Sequence, residues 1–185
     1  MSVKNSATGY GSVSRFFHWL IFLLVLVMIP LGYFMGDFPK EWRGAVVNVH
    51  KVTGVCILIL MLLRLLWALC NVKPLLPFQT PVWQRIAERV MQFLLYAGLI
   101  IMPLAGLVGS VAAGKPPHFF DINIVLPIAE SKALAAFCFD VIHNNLAIIL
   151  IVLISIHMLA ALYHHFIKRD DVLRRMWTGG ERRYY

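Results

Sequence analysis

Four stretches of this chain are too apolar and too long to fold in water: residues about 16–35, 49–70, 88–110 and 140–167. Each reaches the roughly 20 residues that an α-helix needs to cross a hydrocarbon layer. Of the 185 residues, 60% are hydrophobic and 14% charged, where soluble domains carry about 25% charge. The chain reads as an integral membrane protein, and its spans as helices, which satisfy their own backbone hydrogen bonds in lipid. The first stretch is expected to be a true span. It is too long for a signal-peptide core, lacks a small-residue cleavage site, and carries His18 and Trp19 at its start.

The breaks are equally clear. Gly36-Asp37-Phe38-Pro39-Lys40 closes the first span, and residues 71–81, with three prolines, close the second. A longer outer loop, 111–139, precedes the fourth. No repeat of 20–50 residues is visible. These features predict an all-α four-helix membrane bundle, one domain over residues 1–185.

Charge orients it. Twelve of the 17 Lys and Arg residues fall at the amino end, around the 71–85 loop and in the carboxyl tail; Lys40, Arg43, Lys51, Lys115 and Lys132 lie toward the other face. The positive-inside rule then places both termini in the cytoplasm. The net charge of +8 is explained by topology and anionic headgroups of the lipid bilayer, and calls for no nucleic-acid partner.

Within the fourth stretch, His143 and His157 stand 14 residues apart. Fourteen helical steps return to within about 40° of one face after a rise of roughly 21 Å. One helix therefore offers two imidazoles at two depths. A single histidine here would more naturally bridge helices. A pair at this spacing, matched by histidines on other helices, points to two stacked haems. With both ends inside, the depths match His50 with His143 and His18 with His157, giving each iron two axial imidazoles. His164 competes with His157, since it matches the depth of His18 better and lies near the same face, but it would set the irons roughly 10 Å further apart. Cys56, Cys70 and Cys138 are scattered, and there is no C-x-x-C-H or C-x-x-C. The haems are thus expected to be non-covalent, and the cysteines to be packing residues.

RFFHWLIFLLV, VHKVTG, LLYAGLIIMPLAGL and IHNNLAIILIVLISIHMLAALYHHF together resemble the bacterial cytochrome b561 family over residues 12–177. The resemblance implies four helices holding two b haems through His18, His50, His143 and His157. Family members often carry a histidine one turn before the helix-three tyrosine, where this chain has Gln92. Stand-alone members are associated with oxidation of periplasmic superoxide and reduction of ubiquinone, which is what the resemblance implies here.

Other residues gain candidate roles. Arg64, 14 residues after His50, either pairs with a haem propionate or snorkels to the cytoplasmic interface. Lys51, Lys115 and Lys132 either steer a small anion to the outer haem or are ordinary solvated lysines; Asp121, Glu130 and Asp140 oppose such a field. His164 is the candidate proton donor to quinone. Without G-x-G-x-x-G or a Walker loop, a built-in nucleotide or flavin domain is not expected. Two functions fit: a superoxide oxidase that reduces quinone, or a haem-b membrane anchor linking a partner dehydrogenase to the quinone pool.

Overall fold

The computed structural model describes residues 2–76 and 80–179. Arg182 and Arg183 of the basic tail lie outside the described residues. Three long helices come first: α1, Ser12–Phe34; α2, Lys40–Leu69; and α3, Val82–Ala112. A two-stranded antiparallel hairpin follows, β1 (His118–Phe119) and β2 (Ile122–Asn123), in register His118 to Asn123. The fourth span runs from Lys132 to Lys168. It comprises α4 (Lys132–Ala136), a π-helical segment Phe137–His143, α5 (Asn144–Tyr163) and a second π segment His164–Lys168. A short α6, Val172–Trp177, ends the described chain.

The helices outrun the apolar stretches. At about 1.5 Å per residue, α2 and α3, with 30 and 31 residues, exceed a hydrocarbon core of roughly 30 Å. Their extra turns, KEWRGAVVN and VWQRIA, include charged and polar residues but are compatible with a helix. What stops them is Pro39 and Pro81 at their N-caps, where a missing N–H leaves no helical bond unmade. The outer loop is correspondingly shorter than 111–139. α3 continues to Ala112 and α4 starts at Lys132, so residues 113–131 form the connection and hold the hairpin.

α3 is the most enclosed helix. Its buried face is Gly98, Ala105, Leu107, Gly109 and Ser110 through Ala112, small residues that let the fourth span approach. A second buried cluster, Ile21, Ile57 and Met61 with Phe17, Leu60 and Tyr96 against it, joins α1, α2 and α3. Leu23, Leu26, Leu62, Leu66, Ile148 and Val152 stay exposed, as lipid requires. Cys138 is buried as expected, whereas Cys56 and Cys70 are exposed; these two pack against no core.

Both ends of the bundle are tied. On the basic side, the Asn5 carboxamide donates to Val72 O (3.0 Å) and accepts from Gly11 N–H (2.9 Å) and Ser14 O–H (2.7 Å). Leu75 N–H donates to Ala7 O at 2.9 Å. Trp19 Nε1–H donates to Met176 O (3.0 Å) and Arg15 to Trp177 O (2.9 Å). The amino-terminal segment, the second connection and α6 thereby form one cap. Tyr10 lies in it, and burial first, then the nearby Glu88 carboxylate, pushes its phenol pKa up. On the opposite side, Asn48 of α2 clamps the hairpin through both directions of hydrogen bond with the His118 backbone, at 2.8 and 3.0 Å.

Gly98 is needed at its site: a Cβ there would lie 2.7 Å from Cδ2 of the fully buried Leu150. Gly98→Val is expected to cost about 1–3 kcal/mol, the usual range for overpacking, read as a lower unfolding midpoint in detergent. Gly44→Val, whose Cβ meets nothing within 4 Å, should leave the midpoint nearly unchanged.

Candidate functional site

Four helical elements bring four histidines into two facing pairs. His50 (α2) faces His143, the last residue of the first π segment, with ring centres 6.2 Å apart and planes at 68°. His18 (α1) faces His157 (α5), with ring centres 6.3 Å apart and planes at 62°. The segment between His143 and His157 is α-helical, so the two pairs are offset by roughly 21 Å along it.

The spacing within each pair is that of two imidazoles on opposite sides of one metal ion. A metal–imidazole bond of about 2.0–2.1 Å, with a ring centre ~1.1 Å behind the nitrogen, puts the centres roughly 6.3 Å apart. Among the described residues, no group of three or more His, Cys, Asp or Glu is placed to hold a metal. Two protein ligands are too few for a bare ion such as zinc, which takes four. They suit an iron that brings its own equatorial ligands, as haem does.

The surroundings fit a flat macrocycle. His143 Nδ1 lies 3.0 Å from Met102 O, so Nδ1–H donates to the carbonyl and Nε2 is the nitrogen left for metal. Gly106 makes this reach possible, since a Cβ there would come within 3.2 Å of the His143 ring. Gly32 does the same for His50, where a Cβ would stand 2.8 Å from Cε1. His50 Nδ1 is buried with no hydrogen-bond partner among the described residues. Gly54, one turn after His50, has nothing within 4 Å of its Cβ position. A cleft of about 500 Å³ lies between Asn48, Val49, Val52 and Thr53 of α2 and the hairpin residues 118–121, within the usual range for ligand sites.

Arg64 reaches inward rather than to the cap. Its Nη2 is 3.1 Å from His18 Nδ1, and its guanidinium carbon is 5.4 Å from the Tyr96 ring centre. His164 does not oppose His18. Its Nδ1 pairs with Asp170 Oδ2 at 2.5 Å. Lys51 Nζ donates to Lys115 O at 2.7 Å. Lys132 begins α4 beside the end of α3, where Ser131 N–H donates to Ala112 O at 2.9 Å. Gln92 accepts from Lys73 Nζ at 2.7 Å, beside the Lys73–Glu88 ion pair, so this position serves the second connection.

Sequence reasoning missed two contributors. Gly32 matters only through the ring it faces, which spacing along one helix does not reveal. Asp170 had a weak signal, a carboxylate six residues past His164, but the intervening π turn puts it outside the helical i+3 and i+4 pattern.

Residues 9–179 match the family described as prokaryotic cytochrome b561. Cytochrome b561 homolog 2 of Escherichia coli (strain K12) is 33% identical over 180 residues, covering 95% of this chain and 95% of that protein. Cytochrome b561 homolog 1 of the same organism is 31% identical over 172 residues, covering 90% and 96%. A protein of Yersinia pestis named probable superoxide oxidase CybB is 28% identical over 169 residues, covering 90% and 94%. With its four candidate membrane spans, the chain is a multi-pass protein of the bacterial inner membrane and belongs to the prokaryotic cytochrome b561 family, the haem-b electron-transfer proteins.

Proposed function

We propose that this protein holds two b haems, one between His50 and His143 and one between His18 and His157, and passes electrons from periplasmic superoxide to ubiquinone. The observation that carries the reading is the pair of opposed imidazole couples, each at an iron-spanning separation. The name of the Yersinia pestis relative supports the choice of superoxide. When bound between these histidines, each haem would supply a one-electron iron couple suited to electron transfer.

The chain's own residues do the rest. Gly32, Gly54 and Gly106 keep side chains away from the outer pair. Met102 O fixes the His143 tautomer. Arg64 acts at the inner pair: a guanidinium only donates, so it approaches a His18 Nδ1 that accepts. Arg64 would be the residue available to hold a carboxylate such as a haem propionate at this level.

At the outer end, Lys51 is tied to the Lys115 backbone, so two ammonium groups share one rim, and Lys132 opens the adjacent helix. This field favours a small anion. At the inner end, His164 delivers protons to the quinone. The overall reaction balances as two superoxide anions, one quinone and two protons giving two dioxygen molecules and one quinol.

Purified protein should carry about two acid–acetone-extractable haems per chain by the pyridine haemochrome assay. His143→Ala and His157→Ala should each reduce this to about one and perturb different spectral components. Gly54→Leu should lower haem content in a chain that still folds. A wild-type ratio near one would overturn the two-haem reading.

Stopped-flow reduction by superoxide should be fast and should slow as salt rises, because the outer rim is solvated and screened. Lys51→Glu, Lys115→Glu or Lys132→Glu should slow it by about tenfold at low ionic strength, with the haem spectrum unchanged. His164→Leu should slow quinone reduction more than haem reduction. A haem-replete protein reduced no faster by superoxide than by a neutral donor of equal driving force, with no salt effect, would instead favour a membrane anchor serving a partner dehydrogenase.

A further inference from the structure

The inner end of the fourth span carries a carboxylate–imidazole dyad built by an unusual stretch of backbone. His164 opens the π segment His164–Lys168. Arg169 then turns the chain in the left-handed region, φ 55° and ψ 30°, uncommon for a residue other than glycine. That turn folds Asp170 back onto His164. Three hydrogen bonds hold it there. Asp170 N–H donates to His164 O at 3.1 Å, Val172 N–H donates to Asp170 Oδ1 at 3.1 Å, and His164 Nδ1–H donates to Asp170 Oδ2 at 2.5 Å. One carboxylate oxygen is thus pinned by the start of α6 and the other lies on the imidazole. The two side chains are only 18% and 20% exposed. The flanking Tyr163, Phe166 and Ile167 are exposed, so a half-buried polar pair sits next to a lipid-facing apolar surface.

We propose that Asp170 is a positioning residue that holds His164 as the proton donor to the quinone; this rests on the role given to His164 above. A carboxylate that accepts from Nδ1–H leaves Nε2 as the nitrogen that exchanges protons. In each of two turns, one electron reaches the quinone from one superoxide, the His164 Nε2–H bond breaks and a quinone O–H bond forms. Nε2 is then reprotonated from cytoplasmic water. After two turns the quinone is reduced to quinol and two superoxide anions have been oxidised to dioxygen.

A purely structural role, closing the helix end, predicts something different. Asn at position 170 keeps an oxygen for the Val172 N–H and can meet His164 Nδ1 with its amide N–H, so a closing role tolerates it, while a role that needs a carboxylate accepting from Nδ1–H does not. The test compares wild type, Asp170→Asn, His164→Leu and the double variant in quinol formation with a short-chain ubiquinone. Haem content and spectrum serve as the check on folding. Asp170→Asn is expected to lower the turnover number at least tenfold, within the roughly 10²–10⁴-fold that a positioned acid contributes. KM should change little, and the double variant should be no slower than His164→Leu alone. Normal turnover in Asp170→Asn beside a slow His164→Leu would overturn the dyad and leave the quinone reading standing. Normal turnover in His164→Leu would overturn both. If Asp170→Asn loses haem, Asp170→Glu against Asp170→Gln repeats the charge comparison: Glu faster than Gln supports the dyad, and equal rates overturn it.

Discussion

An imidazole in the middle of a hydrocarbon layer has to be matched by something, because a polar ring without a partner is costly there. In this bundle the match is made across helices, His50 to His143 and His18 to His157. Each couple joins the fourth span to one of the first two helices, while α3 fills the side between them with small residues. The order of the helices, the glycines on α1 and α3, and the depth of each histidine are all consequences of bringing two pairs of rings to about 6.3 Å. That separation is the one expected of two imidazoles that would share a metal ion.

The two ends of the bundle differ in a way that suits directional transfer. On the outer side, the cleft between α2 and the hairpin leaves open space by the turn that carries His50. On the inner side, Asn5, Ser14, Trp19 and Arg15 stitch the amino-terminal segment to the second connection and α6. A small polar molecule is better served by the first end. At the second, the polar groups are largely committed to the cap, and the exposed surface beside His164 is apolar, which favours an acceptor that arrives through lipid.

Much of this was legible in the sequence. The four spans, the common side of both chain ends and the four facing histidines follow from hydropathy, charge and a 14-residue spacing, because lipid imposes these requirements strictly. Helix ends were less legible. A hydropathy window sees only the hydrocarbon segment, so it leaves the polar first turns of α2 and α3 as loop, and assigns α4 and the first three residues of its π segment to the outer connection. The exposure of Cys56 and Cys70 escapes it for a related reason: in lipid, an exposed cysteine is as comfortable as a buried one. Gly32 and Asp170 are invisible to it because their meaning lies in contacts between elements or across an irregular turn.

The fourth span also illustrates what spacing alone cannot assign. His143, His157 and His164 lie near one face, 14 and 7 residues apart, yet they are set for different work. The distinguishing features are what each Nδ1 meets and whether another imidazole stands opposite. His143 gives its Nδ1–H to a backbone carbonyl and faces His50, which leaves Nε2 free of that bond. His157 faces His18, whose own Nδ1 is met by Arg64, so that couple is linked to a positive charge at the level of the inner site. His164 has no opposing imidazole among the described residues and gives its Nδ1–H to a carboxylate. A helix repeating every seven residues can therefore set its imidazoles in different environments along one face, provided that its neighbours supply different partners at each turn. Here those partners are a carbonyl beside Pro103, a guanidinium on α2, and a carboxylate returned by the left-handed turn at Arg169.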